Sequence, residues 1–181
     1  MTKLVKFYFN NLKKNLSDIH IRKIKFLINQ IHILKKNKKR LFLCGNGGSA
    51  ANAIHLANDF LFTRSSNQPM IDVEALTANN AVITSIANDK GYEFIFSEQL
   101  KTKASKDDLL LIFSGSGNSE NLVEAIKIAK QKKMKIFAIL GFDGGKCKKI
   151  LKNYIHININ DMQISEDFQL IVGHIILKSL L

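Results

Sequence analysis

At 181 residues the chain is long enough for one domain with its own core, and a 46% hydrophobic, 23% charged composition excludes a disordered polymer. Two cysteines exclude a disulfide scaffold, and the lack of any long apolar run excludes a membrane-spanning helix. A lysine-rich net charge of +12 suits anionic metabolites, a membrane surface or nucleic acid. Aromatic residues do not interleave with the lysines, so a single-stranded nucleic-acid platform is unsupported.

The first 11 residues mix lysine with apolar side chains and hold no signal-peptide segment, so the chain reads as cytoplasmic. Residues 2–37 read as one or two amphipathic helices, with Ile19, Ile21, Ile24, Leu27, Ile28, Ile31 and Leu34 at helical spacing and Asp18 at a helix start. The run Lys35-Lys36-Asn37-Lys38-Lys39-Arg40 reads as a solvated helix end, where cations suit the helix dipole. Residues 40–44 predict a strand that ends at Gly45, with Cys44 as a small core residue. A helix over 49–60 follows, then a strand over 71–76 and helices over 79–87 and 93–105.

A second unit repeats this plan: a strand over 109–113, a serine-rich turn, a helix over 120–132 and a strand over 135–140. Residues 141–146 read as a loop, 154–159 as a short strand and 165–181 as an apolar final helix. Apolar runs without alternation suit strands covered on both faces. The expected fold is therefore α/β, a doubly wound parallel sheet flanked by helices with flavodoxin-like layering. It forms a single domain over 1–181, with a helical lead-in over 1–37 and the α/β core over 38–181.

In open sheets of this kind ligands bind beyond the carboxyl ends of the strands, where two unusual turns stand. The first is Gly45-Asn46-Gly47-Gly48-Ser49. Its glycines admit close backbone approach, and the helix that follows offers free N–H groups to an anion. The second, Ser114-Gly115-Ser116-Gly117-Asn118-Ser119, brings three hydroxyls, with Ser119 at the N-cap position of its helix. Neither turn is a dinucleotide or nucleoside-triphosphate fingerprint, so a small phosphorylated ligand is expected.

The segment Leu43 to Ser49 followed by Ala57-Asn58-Asp59 resembles the sugar isomerase (SIS) domain, and more narrowly its phosphoheptose isomerase branch. Ala87-Asn88-Asp89, Phe113 to Ser119 with Asn121, and Glu166-Asp167-Phe168-Gln169 with His174 strengthen that likeness. The resemblance implies a ketose–aldose isomerase that converts sedoheptulose 7-phosphate to a D-glycero-manno-heptose 7-phosphate for bacterial surface glycans such as lipopolysaccharide or capsule. It also implies a homotetramer with active sites at subunit interfaces and a zinc ion, one per subunit. Carried over, the phosphate falls to Ser114, Gly115, Ser116 and Ser119. The sugar falls to Asn46, Gly47, Gly48, Ser49, Asn88 and Asp89.

Enediol isomerisation needs a base that moves a proton between adjacent carbons and an acid that serves the oxygens. The resemblance assigns these roles to Asp59 as base and His174 as acid, with Glu166 as a sugar or metal contact. His55 and Asp59 are four apart and share a helix face. His55, Asp59, Glu166 and His174 together make two imidazoles and two carboxylates, a set that could hold zinc or another divalent ion. Glu166 and His174 lie eight apart, about 12 Å on a straight helix, which a shared ion has to overcome. The chain departs from the branch in two places: aspartate stands at 59 where the branch keeps glutamate, and glutamate at 166 where it keeps glutamine. Arg64 is displaced by one position. These departures leave open a non-catalytic phosphosugar-binding or adaptor protein, and an isomerase of a different ketose phosphate.

Overall fold

The computed structural model describes residues 1–15, 17–62 and 71–181. Arg64 lies outside the described residues. The chain opens with two helices, α1 (Thr2–Lys14) and α2 (Asp18–Lys36). It then runs β1 (Leu41–Cys44), α3 (Gly48–Leu61), β2 (Val73–Ala75) and α4 (Asn80–Asp89). A 3-10 turn over Tyr92–Phe94 leads into α5 (Ser97–Lys103), and β3 (Leu109–Ser114), α6 (Glu120–Gln131) and β4 (Lys135–Leu140) follow. The chain finishes with α7 (Gly145–Ile150), β5 (Tyr154–His156) and α8 (Met162–Leu180).

The five strands form one sheet in the order β2-β1-β3-β4-β5, and every pair is parallel. Successive strand residues point to opposite faces, and both faces are covered. Leu41, Leu43, Leu109, Leu111 and Phe113 pack with Leu27 and Ile31 of α2, Leu56 and Phe60 of α3, and Phe168 and Val172 of α8. Phe42, Cys44, Leu110 and Ile112 pack on the other side with Leu100 of α5, Ile126 of α6 and Cys147 of α7. Burial drives the Cys147 thiol up to about 11 and raises Cys44 further, so neither is a nucleophile at neutral pH.

Several boundaries differ from the sequence expectation. Residues 145–150 form the short helix α7 rather than a loop; Gly144 (φ +84°) and Gly145 (φ +51°) bend the chain into it. The last helix begins at Met162 because the Asp161 side chain accepts from the Ile164 amide at 3.0 Å. The expected helix over 93–105 divides into the 3-10 turn and α5.

This strand order reverses between β1 and β3. The chain leaves β1 toward β2 on one side and returns to β3 on the other, which opens a crevice at their carboxyl ends. Both special turns sit there. Among the described residues no helix is long and apolar enough to cross a membrane.

Candidate active site

The turn after β1 is held from three sides. Asn46 and Asn121 of α6 exchange amide hydrogen bonds, 2.9 Å each way. The Tyr92 hydroxyl donates to Asn46 Oδ1 at 3.1 Å. Gly47 takes φ +55°, a left-handed conformation that glycine adopts without strain, and α3 starts one residue later. Ser49 is buried, and its hydroxyl accepts from Gln169 Nε2 at 3.0 Å. The Gln169 oxygen in turn accepts from Asn52 at 2.9 Å, and Asn52 also donates to the Glu166 carbonyl at 3.0 Å. A buried polar network therefore pins the start of α3 to α8.

The turn after β3 is braced internally. Ser114 Oγ accepts from the Gly117 amide at 2.9 Å and Ser116 Oγ from the Asn118 amide at 3.3 Å. Ser119 occupies the N-cap of α6 by backbone, but its side chain makes no cap hydrogen bond. The segment around α7 supports the turn from outside: Asn118 Oδ1 accepts from the Lys146 amide at 3.1 Å, and the Gly117 carbonyl accepts from the Cys147 amide at 2.9 Å.

Between the turns lies a cleft of about 330 Å³. Asn46, Gly47, Gly48, Ser49, Ser114, Gly115, Ser119 and Glu166 line it, together with Met162. Eight of the residues assigned to a phosphosugar thus meet in one place. The Glu166 carboxylate lies directly over Gly48, in the space a side chain there would occupy. Met162 fills the equivalent space over Gly115. A second recess of about 380 Å³ shares Asn46 and Ser119 and extends to Tyr92, Glu93 and Glu120. Ser116 is half-buried in the second turn without lining the cleft; Asn88 and Asp89 are exposed at the end of α4, bonded to each other at 2.9 Å, and stand outside it.

His55 and Asp59 on α3 meet His174 on α8. The two Nε2 atoms are 3.1 Å apart, and Asp59 Oδ2 lies 3.3 Å from His55 and 3.7 Å from His174. A triangle with these edges has a centre about 2.0 Å from every corner, the length of a zinc–nitrogen or zinc–oxygen bond. Two imidazoles and a carboxylate suit zinc in donor chemistry as well as spacing. Glu166 does not join this set. It lies inside the helix, two turns before His174, and its carboxylate is turned to Gly48. The cluster lies seven residues beyond Gly48 on α3, about 10 Å along the axis. It is partly exposed, bordered by Ile54 on α3 and by Ile171 and Ile175 on α8, all open to solvent in the single chain.

Another recess, about 520 Å³, opens at the opposite end of the sheet between Lys39, Asp107 and Lys135. It holds neither a glycine-rich turn nor a carboxylate–imidazole group. Tyr92, Met162 and Gln169 carry no motif of their own, and only Gln169 sits inside a stretch that the sequence singles out.

Comparison with known proteins follows the same lines. Residues 7–141 match the SIS domain. The phosphoheptose isomerase of Nitratiruptor sp. is 35% identical over 141 residues, 78% of this chain and 75% of that protein. The solved phosphoheptose isomerase from Neisseria gonorrhoeae superposes with a TM-score of 0.91 at 25% identity, covering 99% of this chain and 95% of its own. The one from Francisella tularensis, 22% identical, shares the fold at a TM-score of 0.94 over the same fractions.

Proposed function

The chain belongs to the SIS-domain family, in its phosphoheptose isomerase branch, and from that premise we propose that it converts sedoheptulose 7-phosphate to D-glycero-manno-heptose 7-phosphate for bacterial surface glycans. The observation that carries the substrate class is the cleft at the switch point, walled by both turns. The phosphate takes the free Ser119 hydroxyl and the hydroxyls and amides of Ser114, Gly115 and Ser116. The α6 N-terminus lies behind them and favours the anion. The sugar hydroxyls run along Asn46, Gly47, Gly48 and Ser49 toward Glu166.

The open-chain sugar reaches from the phosphate turn toward the His55–Asp59–His174 group, about 10 Å along α3. Asp59 and His174 supply the carboxylate and imidazole that enediol chemistry uses, and His174 serves the sugar oxygens as acid. Zinc on His55, Asp59 and His174 would polarise the carbonyl as a Lewis acid.

The exposed apolar border of that group, with Leu61 and Phe62 beyond it on the α3 side, supports a homotetramer in which a neighbouring subunit covers it. Asn88 and Asp89, outside their own cleft, would then face substrate in a neighbour. The protein acts in the cytoplasm, where its phosphorylated substrate is made. The deciding assay is turnover of sedoheptulose 7-phosphate with and without added zinc, beside shorter ketose phosphates. Heptose 7-phosphate formation is expected; binding without turnover of any of them would make the chain a phosphosugar-binding protein.

A further inference from the structure

The loop from Gly141 to Gly145 backs the phosphate turn. The Gly144 carbonyl lies in the space a side chain at Gly117 would take, and Asn118 Oδ1 and the Ser116 carbonyl fill the same space at Gly145. The Phe142 ring reaches the flank of Gly115, 3.6 Å from where a Cβ would stand. Phe142 itself takes φ +43°, a left-handed conformation that an aromatic residue rarely adopts and that persists only where its surroundings hold it. Two hydrogen bonds do so: its amide donates to the Ile159 carbonyl at 3.1 Å, and its carbonyl accepts from His156 Nε2 at 2.9 Å. His156 is anchored in turn. It ends β5, its backbone carbonyl accepts from the His20 ring of α2 at 2.9 Å, and its Nδ1 accepts from the Lys148 ammonium of α7 at 3.2 Å.

A carbonyl only accepts and an ammonium only donates, so these partners require one form of the ring, neutral with its proton on Nε2. We propose that His156 is a positioning residue for the phosphate turn; this rests on the phosphosugar reading above. In its neutral tautomer it fixes the Phe142 backbone, and through it the loop on which Ser114 to Ser119 rest. A second proton, on Nδ1, sets two donors against each other, drives the Lys148 ammonium away and loosens the loop. Burial, Lys148 and His20 disfavour the charged ring, against the Phe142 carbonyl and Asp143, so the neutral form prevails at pH 7. Lys23 of α2, over the Tyr154 ring two residues earlier on β5, adds a further cation on this side. The grip on a phosphate is therefore complete at neutral pH and slackens in acid.

The test uses H156L, which removes both ring nitrogens, and H156Q, whose amide N–H can still donate to the Phe142 carbonyl but takes no proton. The probe is a six-carbon alditol phosphate, which has no carbonyl to isomerise. Its Kd is measured by calorimetry on the full chain, beside kcat and KM for sedoheptulose 7-phosphate and a thermal melt. At pH 7.5 H156L is expected to raise Kd and KM about tenfold, the worth of one charge-assisted hydrogen bond to the phosphate, and to change kcat by less than about threefold. H156Q restores both constants. From pH 7.5 to 5.0 the Kd of the parent should rise against that of H156Q; ionisation of the phosphate is common to both and cancels in the ratio. Unchanged Kd and KM in H156L overturn the proposal and leave the isomerase reading standing. A lower melting temperature with KM kept also overturns it, because it makes the ring a structural brace only. Should H156L fail to fold, the parent and H156Q decide, and a flat Kd ratio across that pH range removes the role. A parent that binds neither phosphate compound removes the phosphosugar reading itself, and the role of His156 with it.

Discussion

At Gly48 one absent carbon decides the shape of the site. A Cβ there would occupy the position of the Glu166 carboxylate, which is the movable end of a side chain. Gly48→Ala should therefore leave the melting temperature nearly unchanged, since alanine suits a helix, and lower kcat/KM by on the order of a hundredfold as the carboxylate is displaced by about 1 Å. Steady-state kinetics beside a thermal melt separates the two effects. His156 makes a different prediction. Its ring bridges the Phe142 carbonyl (2.9 Å) and Lys148 (3.2 Å), and the His20 ring reaches its backbone carbonyl. Burial lowers its pKa below 6.5, with the Lys148 ammonium and His20 acting the same way and Asp143 and the Phe142 carbonyl opposing. The unfolded chain then binds the proton first. Stability should fall as pH drops through 6.5 and level off below the folded value. Urea midpoints at pH 7.5 and 5.5 should show this slope in the parent and a flatter one in His156→Gln. The residues that form the cleft walls were legible because glycine and serine at strand ends have few other uses. Tyr92 and Met162 were not, because an aromatic ring or a thioether reveals its neighbour only once the chain has folded.

Among the elements, α3 and α8 carry the site between them. Ser49, Asn52, His55 and Asp59 come from one helix, and Glu166, Gln169 and His174 from the other. Gly173 lets them approach: a side chain there would run into Leu56. The buried Gln169 amide joins Ser49 to Asn52, with its nitrogen donating and its oxygen accepting. Gln169→Leu keeps most of the volume but leaves both partners short of a hydrogen bond, and should cost about 1–3 kcal/mol in a urea melt. Strands β1, β3 and β4 were readable as continuous apolar runs because both sheet faces are covered. The expected strand over 154–159 shortens to Tyr154–His156, since beyond it the Ile159 amide bonds back to the Ile157 carbonyl at 2.8 Å and breaks the ladder. Helix α7 escaped notice because six residues, opening on Gly145 behind a glycine N-cap, show no helical period. The pairing of α3 with α8 was legible only through the family likeness, for helix-to-helix contact leaves no local spacing in either segment.

For the molecule as a whole, the apolar residues left in the open are the informative ones. Helix α1 buries no residue fully; it presents Leu4 and Phe7 on its surface while Tyr8 bonds Asp167 of α8 at 2.6 Å. These exposed groups, with those around His55 and His174, predict a tetramer in sedimentation velocity. Leu4→Glu with Phe7→Glu should shift it to smaller species and leave the far-UV circular dichroism unchanged, because both side chains are exposed in the single chain. A monomeric parent would exclude the shared site. The place of α8 in the chain has a consequence for synthesis. Both turns and the whole sheet precede it, so a ribosome delivers the phosphate grip first and Glu166, Gln169 and His174 last. Until that helix docks, the emerging chain carries an uncovered face of Leu56 and Phe60 beside two polar groups, Ser49 and Asn52, that await their partner. The proposed site is complete only once the final helix has docked.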